Sequence, residues 1–351
     1  MIFHQFMYSL TDFRHKFNPL LEAFFQEKIS EIKPNSPILS ELITKIADIT
    51  LAPGKRIRPA LLFYAYQAFG GKSFAGIQNY CLAIELFETF ALIHDDIIDC
   101  AQKRRGVDTI HSYFTKKFKN ASLGQSMAIL AGDLALSFAD ELFYQKKPHH
   151  KLSGVYTQMK QDVITGQILD TLGPNSEGEA VMVIKLKTAS YSTLAPLAIG
   201  AQLAGANSEQ IKILQSYGES LGLAFQIQDD ILGVFGNEKL LGKSATDDIK
   251  EGKKNLLYFT ALSSFKNQSK NRFLSLWGKK DLSQKEAQIV RNLIRACGAL
   301  SKVLKLYSNW KQKTQNCLTS EYFDKDTLSV FKNITDAILN INPHDYAFQS
   351  D

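Results

Sequence analysis

The stretch NYCLAIELFETFALIHDDIID, residues 79–99, decides the fold. Apolar residues recur in it at three- and four-residue steps, the period of a helix buried on most sides and not that of a strand. Its end breaks into Asp95, Asp96 and Asp99. At about 100° per residue Asp95 and Asp99 share a face one turn apart, and Asp96 is rotated off it. The FALI before and the II within make this face partly buried, where unpaired carboxylates repel one another and cost several kcal/mol each. Carboxylates at i and i+4 can jointly hold a hard dication, which prefers oxygen ligands. A lone DDxxD is more often a solvated acidic face, but the apolar flanks argue against that here.

The pattern then recurs. AFQIQDDILGVFG, residues 224–236, sets Asp229 and Asp230 in a second apolar helix. Two such helices facing one another in a bundle would line an acidic cavity for Mg²⁺, an ion usually completed by substrate phosphates and not by an all-protein cage. A diphosphate ligand follows from that. Matching cations stand in GKRIRP (Lys55, Arg56, Arg58), KRRG (Lys103, Arg104, Arg105), KLKTAS (Lys187) and GKSATDDIKEGKKN (Lys243, Lys253, Lys254). Arginine grips a diphosphate through paired hydrogen bonds and lysine acts as a point charge. Any one of these patches taken alone is more often ordinary solvated charge.

The rest of the chain agrees with a helical fold. ILSELITKIADITL, SMAILAGDLALSFADELFY and EQIKILQSYGESLGLAFQIQDDIL repeat the same period, and breakers such as APGKRIRP, FGGKS, KKPHHK and LGPNSEGE fall between them. Length alone would suggest two domains, but no linker separates two compositions. The reading is all-α: one large helical bundle over residues 1–351 with a central cavity. The formal charge of +6, from 41 Lys and Arg against 35 Asp and Glu, is mild and suits an anionic small substrate. GKRIRP could be read as a nucleic-acid patch, but no zinc-finger or RNP-type motif accompanies it, and no nucleic-acid partner is expected. GKSATDD is not a phosphate loop, because position 237 is Asn where that loop needs Gly. The four cysteines form no CxxC pair and read as reduced thiols of a cytoplasmic protein. The uncharged run at residues 188–208 is rich in Ala, Ser and Thr and holds Pro196, so it reads as a buried helix and not a transmembrane one. No GxSxG, HExxH or signature cysteine offers a nucleophile, and His94 reads as a structural or ligand-contacting residue.

Taken together, DDIID, DDILG, GKRIRP, RRG, KTAS, FQIQDD and GKSATDDIKEGKK resemble in type, order and spacing the motifs of the trans-isoprenyl diphosphate synthases. The match covers roughly residues 51–255. The resemblance implies an all-α isoprenoid-synthase fold and head-to-tail condensation of an allylic diphosphate (dimethylallyl, geranyl or farnesyl) with isopentenyl diphosphate. It implies a homodimer, for which the apolar run at 188–208 would suit a packed interface, and about three Mg²⁺ ions per site. Asp95, Asp99 and Asp229 would be the direct ligands, with Asp96 and Asp230 helping. Arg104, Lys187, Lys243 and Lys253, with Thr188 and Gln226 beside them, would hold the allylic diphosphate. Lys55, Arg58 and Arg105 would hold that of isopentenyl diphosphate.

In the family, the residues four and five before the first aspartate form the floor of the chain pocket. Here they are Ala91 and Phe90, with Phe87 lower on the same helix. One aromatic ring five before, with no insertion in DDIID, resembles the C20-forming type, so geranylgeranyl diphosphate is the expected product and farnesyl diphosphate the next. Four positions depart from the family pattern. Gly233 stands where many members have a third aspartate. Glu88 stands where His or Gln contacts isopentenyl diphosphate, and would repel a diphosphate unless protonated or turned toward a cation. Asn255 replaces a common Thr, and the tail NINPHDYAFQSD lacks a basic ending. A terpene cyclase would need Ser or Thr at 233 and Glu at 237, which are Gly and Asn. A non-catalytic partner subunit would usually have lost one acidic cluster, whereas Asp95, Asp96, Asp99, Asp229 and Asp230 are all present.

Overall fold

The computed structural model describes residues 9–34, 36–236, 246–319 and 321–341. The chain forms two compact units, Met1–Val155 with Pro196–Ala206, and Tyr156–Ala195 with Asn207–Asp351. In the first, α1 (Leu10–Ile32), α2 (Pro37–Leu51), α3 (Ile57–Ala68) and α4 (Phe74–Ile98) lead to a hairpin of β1 (Lys103–Arg104) and β2 (Val107–Asp108), then α5 (Ile110–Phe118), α6 (Ala121–Tyr144) and the start of α7 (His150–Leu172). In the second, α7 continues into α8 (Glu177–Val183) and a π-helical segment, Ile184–Leu194. The chain then passes through α9 (Ala195–Leu203) to α10 (Ser208–Phe235), α11 (Asp247–Glu251), α12 (Leu256–Ser264), α13 (Asn267–Leu276), α14 (Gln284–Ala296), α15 (Ala299–Cys317) and α16 (Lys325–Ile338). The two-residue hairpin is the only sheet among the described residues.

Local chemistry starts these helices. Ser36, Ser73, Asn120, Ser176 and Asp324 each accept a backbone N–H of their own first turn, and Asn207 with Gln210 and Ser283 with Glu286 form reciprocal capping boxes. Small residues set the packing of the first unit. On α6, Ala128, Ala131, Ala135 and Ala139 are buried, and the helix packs against the apolar α4, whose Ala83, Ile84, Leu86 and Phe87 are fully enclosed, while Gly124 faces His111 and Thr115 of α5. Gly132 of α6 faces the His94 ring so closely that a Cβ there would overlap it.

In the second unit α10 packs against the π segment and α15. Gln228 of α10, buried beside Asp229, donates to the Ile338 carbonyl at 2.8 Å. Its Oε1 accepts from the Tyr307 hydroxyl and from the backbone N–H groups of Asn340 and Ile341, at 3.0–3.2 Å. One amide thereby fastens the chain after α16 to the acidic end of α10.

The run at residues 188–208 is buried, as its composition indicates, but it is two elements and not one. It changes from π to α geometry beside Pro196, whose missing N–H is tolerated in the first turn of α9. Leu197, Ile199 and Ala201 within it are fully buried in the chain's own fold, so these three side chains are not partner surface. Among the described residues no helix is long and apolar enough to cross a membrane.

Gly200 lies close to α3, where an added Cβ would overlap the Leu62 carbonyl oxygen and stand 3.0 Å from the Tyr66 backbone nitrogen. Both neighbours are backbone, so neither can step aside. Gly200→Ala is expected to destabilise the protein by about 1–3 kcal/mol, measured as a lower thermal midpoint by circular dichroism.

Candidate active site

The first acidic cluster sits at the end of α4. Asp95 and Asp96 are its last acidic helical residues and Asp99 caps it, keeping right-handed φ and ψ of −81° and −4° while its N–H bonds the Asp95 carbonyl at 2.8 Å. The helical spacing expected of Asp95 and Asp99 therefore persists to the last carboxylate. Cys100 then turns to a positive φ of 54° and sends the chain into the hairpin. At its tip Arg105 and Gly106 have φ of 50° and 87°, the two positive values of a type I′ two-residue turn. This tight turn folds Arg104 back onto the cluster. Its Nε donates to Asp96 Oδ1 at 2.5 Å, and a terminal nitrogen donates to Asp95 Oδ2 at 3.3 Å. Asp96 is 1% exposed, and burial pushes its carboxyl up to about 6 against the pull of Arg104.

About two and three turns further back on α4 stand two more acids, Glu88 and Glu85, that the helical period alone would leave in the core. Glu85 bonds Arg56 at 2.6 Å, and both side chains are almost wholly buried. Arg56 also donates to the Thr50 and Ala52 carbonyls and to Asn18 Oδ1. Those bonds hold it in left-handed backbone, φ 53°, just before α3. Arg56 is thus a strut and not a ligand. Burial, helped by the nearby Glu88 charge, pushes Glu85 up to about 7 against the pull of Arg56. Glu88 is turned toward arginine: its Oε1 lies 3.0 Å from an Arg58 terminal nitrogen and 3.2 Å from one of Arg105. Lys55 is exposed in the same loop.

The second cluster lies on α10. Asp230 is buried, and its Oδ1 accepts from Gln226, whose own Oε1 accepts from the Thr188 hydroxyl at 2.8 Å. Burial raises the Asp230 carboxyl well above the usual carboxylate range, opposed by the Gln226 bond and reinforced by Asp248 and Asp229. Gly233 lacks a carboxylate, but its place is filled, since a Cβ there would overlap the Asp248 carboxylate of α11. Asp248 escapes a reading of the DDILG motif because it belongs to the next cationic block. Lys253 lies 3.0 Å from Glu251 and 3.8 Å from Asp248. Asn255 caps α12 by accepting from the Tyr258 N–H at 3.0 Å, a task that Thr also performs, so this departure is conservative in kind. Lys243 and residues 342–351 of the tail lie outside the described residues.

Lys187 and Thr188 ride on the π segment. Its widened turns need room, and two glycines on neighbouring helices supply it. A Cβ at Gly166 of α7 would overlap the Lys187 backbone nitrogen, and one at Gly222 of α10 would stand 2.5 Å from the Ala189 Cβ. Lys187 bonds Asp170 at 2.6 Å. Asp170 is a partner the motifs did not single out, its sequence signal being a lone acid in TGQILDTL.

The donors of both clusters suit a hard dication. They are carboxylate oxygens, and Asp96 Oδ2 and Asp230 Oδ2 are buried with no hydrogen-bond partner. Among the described residues no three His, Cys, Asp or Glu side chains converge on one point as a ligand set.

A sequence-family model described as polyprenyl synthetase matches residues 40–294. Geranylgeranyl diphosphate synthase of Sulfolobus acidocaldarius is 35% identical over 256 residues, 69% of this chain and 73% of that one. A short chain isoprenyl diphosphate synthase of Methanothermobacter thermautotrophicus is 34% identical over 78% of this chain and 82% of its own. The crystal structure of a geranylgeranyl pyrophosphate synthase from Corynebacterium glutamicum, complexed with isoprenyl diphosphate and magnesium, superposes with a TM-score of 0.87 at 26% identity, covering 95% of this chain and 99% of that one.

Gly166 and Gly154 stand on the same helix with opposite surroundings, since a Cβ at Gly154 would meet nothing within 4 Å. Gly154→Ala is expected to be neutral or stabilising by up to about 1 kcal/mol through helix propensity. Gly166→Ala is expected to lower the thermal midpoint by pressing on the π segment at Lys187, by about 1–3 kcal/mol. Paired thermal melts of the two variants check both signs.

Proposed function

We propose, since this chain belongs to the polyprenyl synthetase family, that it lengthens an allylic diphosphate with isopentenyl diphosphate to geranylgeranyl diphosphate, C20, as its main product. It is an enzyme, a trans-prenyltransferase that joins its substrates head to tail. The family match at 40–294 runs through both compact units, which supports reading residues 1–351 as one synthase domain. The observation that carries the reading is the pair of buried acidic helix segments, each beside cationic side chains.

In this reading Asp95, Asp99 and Asp229 hold Mg²⁺, with Asp96 and Asp230 supporting them. Bound there, Mg²⁺ supplies the positive charge that makes pyrophosphate a good leaving group. Arg104, Lys187, Lys243 and Lys253 bind the allylic diphosphate and stabilise its negative charge as the C1–O bond breaks. Asp170 accepts from Lys187 at 2.6 Å, and Gln226 ties Thr188 to Asp230. Lys55, Arg58 and Arg105 bind isopentenyl diphosphate, whose double bond attacks the allylic C1. The new C–C bond forms, and the departed pyrophosphate takes the proton that is lost. No protein nucleophile is needed, in keeping with the absence of one among the motifs.

Product length follows α4 away from Asp95, at about 5.4 Å per turn. Phe87 is fully buried and Phe90 is 7% exposed, with ring centroids 5.4 Å apart. Phe90 in turn meets the His94 ring at 4.8 Å. Two rings in contact make a floor, and the small Ala91 leaves it lower than a third ring would. A second copy of the chain is the partner, for which Leu123, Ile129 and Leu130 on α6, 39–59% exposed, supply apolar surface. The four free thiols accord with a cytoplasmic location.

The deciding experiment incubates the purified protein with labelled isopentenyl diphosphate, an allylic starter and Mg²⁺, and separates the products by chain length. A C20 product is expected, and no product at all would defeat the reading. Asp95→Ala or Asp229→Ala is expected to lower turnover by at least about 100-fold with the helical circular-dichroism spectrum intact. Either variant keeping the wild-type rate at saturating Mg²⁺ would remove it from the metal site. Phe90→Ala with Phe87→Ala is expected to lengthen the products on chromatography, and an unchanged length distribution would place the floor elsewhere.

A further inference from the structure

Glu88 is the acid that a diphosphate subsite should exclude. Its side chain is 9% exposed, and one oxygen, Oε1, meets both Arg58 and Arg105, at 3.0 and 3.2 Å. The two arginines come from different elements, the first turn of α3 and the tip of the β1–β2 hairpin. Left alone, each would sample many rotamers, and fixing such a side chain on binding costs roughly 2 kcal/mol. Glu88 meets a terminal nitrogen of each guanidinium, and a guanidinium carries five N–H donors in a planar fork. One carboxylate oxygen thereby fixes the place of both guanidinium groups, which come from separate elements. The supports behind are stiff: Glu85, three residues earlier on α4, fixes Arg56 and with it the loop that launches Arg58. Gly54 in that loop faces Arg105, where a Cβ would stand 3.1 Å from a terminal nitrogen.

We propose that Glu88 is a positioning residue for isopentenyl diphosphate: it holds Arg58 and Arg105 side by side, pre-ordered for that diphosphate, and does not itself touch substrate. This rests on the proposed function, which assigns those arginines to that substrate. Two guanidiniums on one carboxylate leave the trio with a net positive charge, so an incoming diphosphate still meets attraction. The group required of residue 88 is an acceptor oxygen at this spot, and the charge is secondary.

The test is steady-state kinetics of the full chain with each substrate varied in turn. Glu88→Ala is expected to raise KM for isopentenyl diphosphate about tenfold, the scale of one lost charged hydrogen bond, while KM for the allylic substrate stays within about twofold. Glu88→Gln keeps the acceptor oxygen and is expected to restore the wild-type KM or lower it. Glu88→Met, of similar volume and without an acceptor, should behave as Glu88→Ala and serves if the alanine variant does not fold. The inference is overturned if the alanine and methionine variants shift both KM values together or neither, or if Glu88→Gln is as impaired as they are. An active wild type with a flat Glu88 series overturns this inference alone. A wild type that makes no product overturns the proposed function and this inference with it.

Discussion

Buried carboxylate paired with arginine is the interaction on which the first unit depends. Along α4, Glu85, Glu88 and Asp96 face inward, and each is met by a guanidinium from outside the helix: Arg56, then Arg58 and Arg105, then Arg104. Removing one partner of such a pair leaves a buried charge, which costs several kcal/mol. The loop before α3 and the β1–β2 hairpin are thereby locked to the helix by charge as well as by packing. The hairpin has only two residues per strand and would not be stable alone. Its shape is fixed by a type I′ turn and by what its two arginines grasp.

The second unit solves a related problem with space. A π segment is wider than an α-helix and leaves its ladder out of step with its neighbours, so it survives only where adjacent helices give way. Gly166 and Gly222 do so from two sides. The reward is placement: Lys187 reaches Asp170, and Thr188 reaches Gln226 and through it Asp230. The same use of a glycine appears at Gly233, whose missing side chain admits the Asp248 carboxylate from another helix.

The helical character and both acidic segments were legible in the sequence, because hydrophobic period and carboxylate spacing are local properties. So were most of the cations, which stand in short blocks. What was not legible is pairing across elements. Arg56 looks in sequence like one more cation in GKRIRP and turns out to be a buried strut. Glu88 looks like a defect and turns out to bridge two arginines. Asp170 and Asp248 carry no motif of their own and matter through what they face. The π geometry of Ile184–Leu194 left no trace in a period count, since its residues fit an α-helix as well until the glycines opposite are known. The Gly233 and Asn255 departures likewise became intelligible only from neighbours, one from Asp248 and one from the Tyr258 N–H.

The amide of Gln228 has a bearing on how the protein is made. It joins the acidic end of α10 to a carbonyl 110 residues further along, a contact of long sequence separation that forms late and slowly. During synthesis α10 leaves the ribosome well before Ile338 does. Until then Gln228 lacks three of its four final partners, the groups of Ile338, Asn340 and Ile341. The second acidic segment therefore reaches its finished surroundings only after nearly all of the described chain has been translated. A nascent chain stalled before α16 would carry the first unit's arginine-locked carboxylates in full and the second unit's only in part.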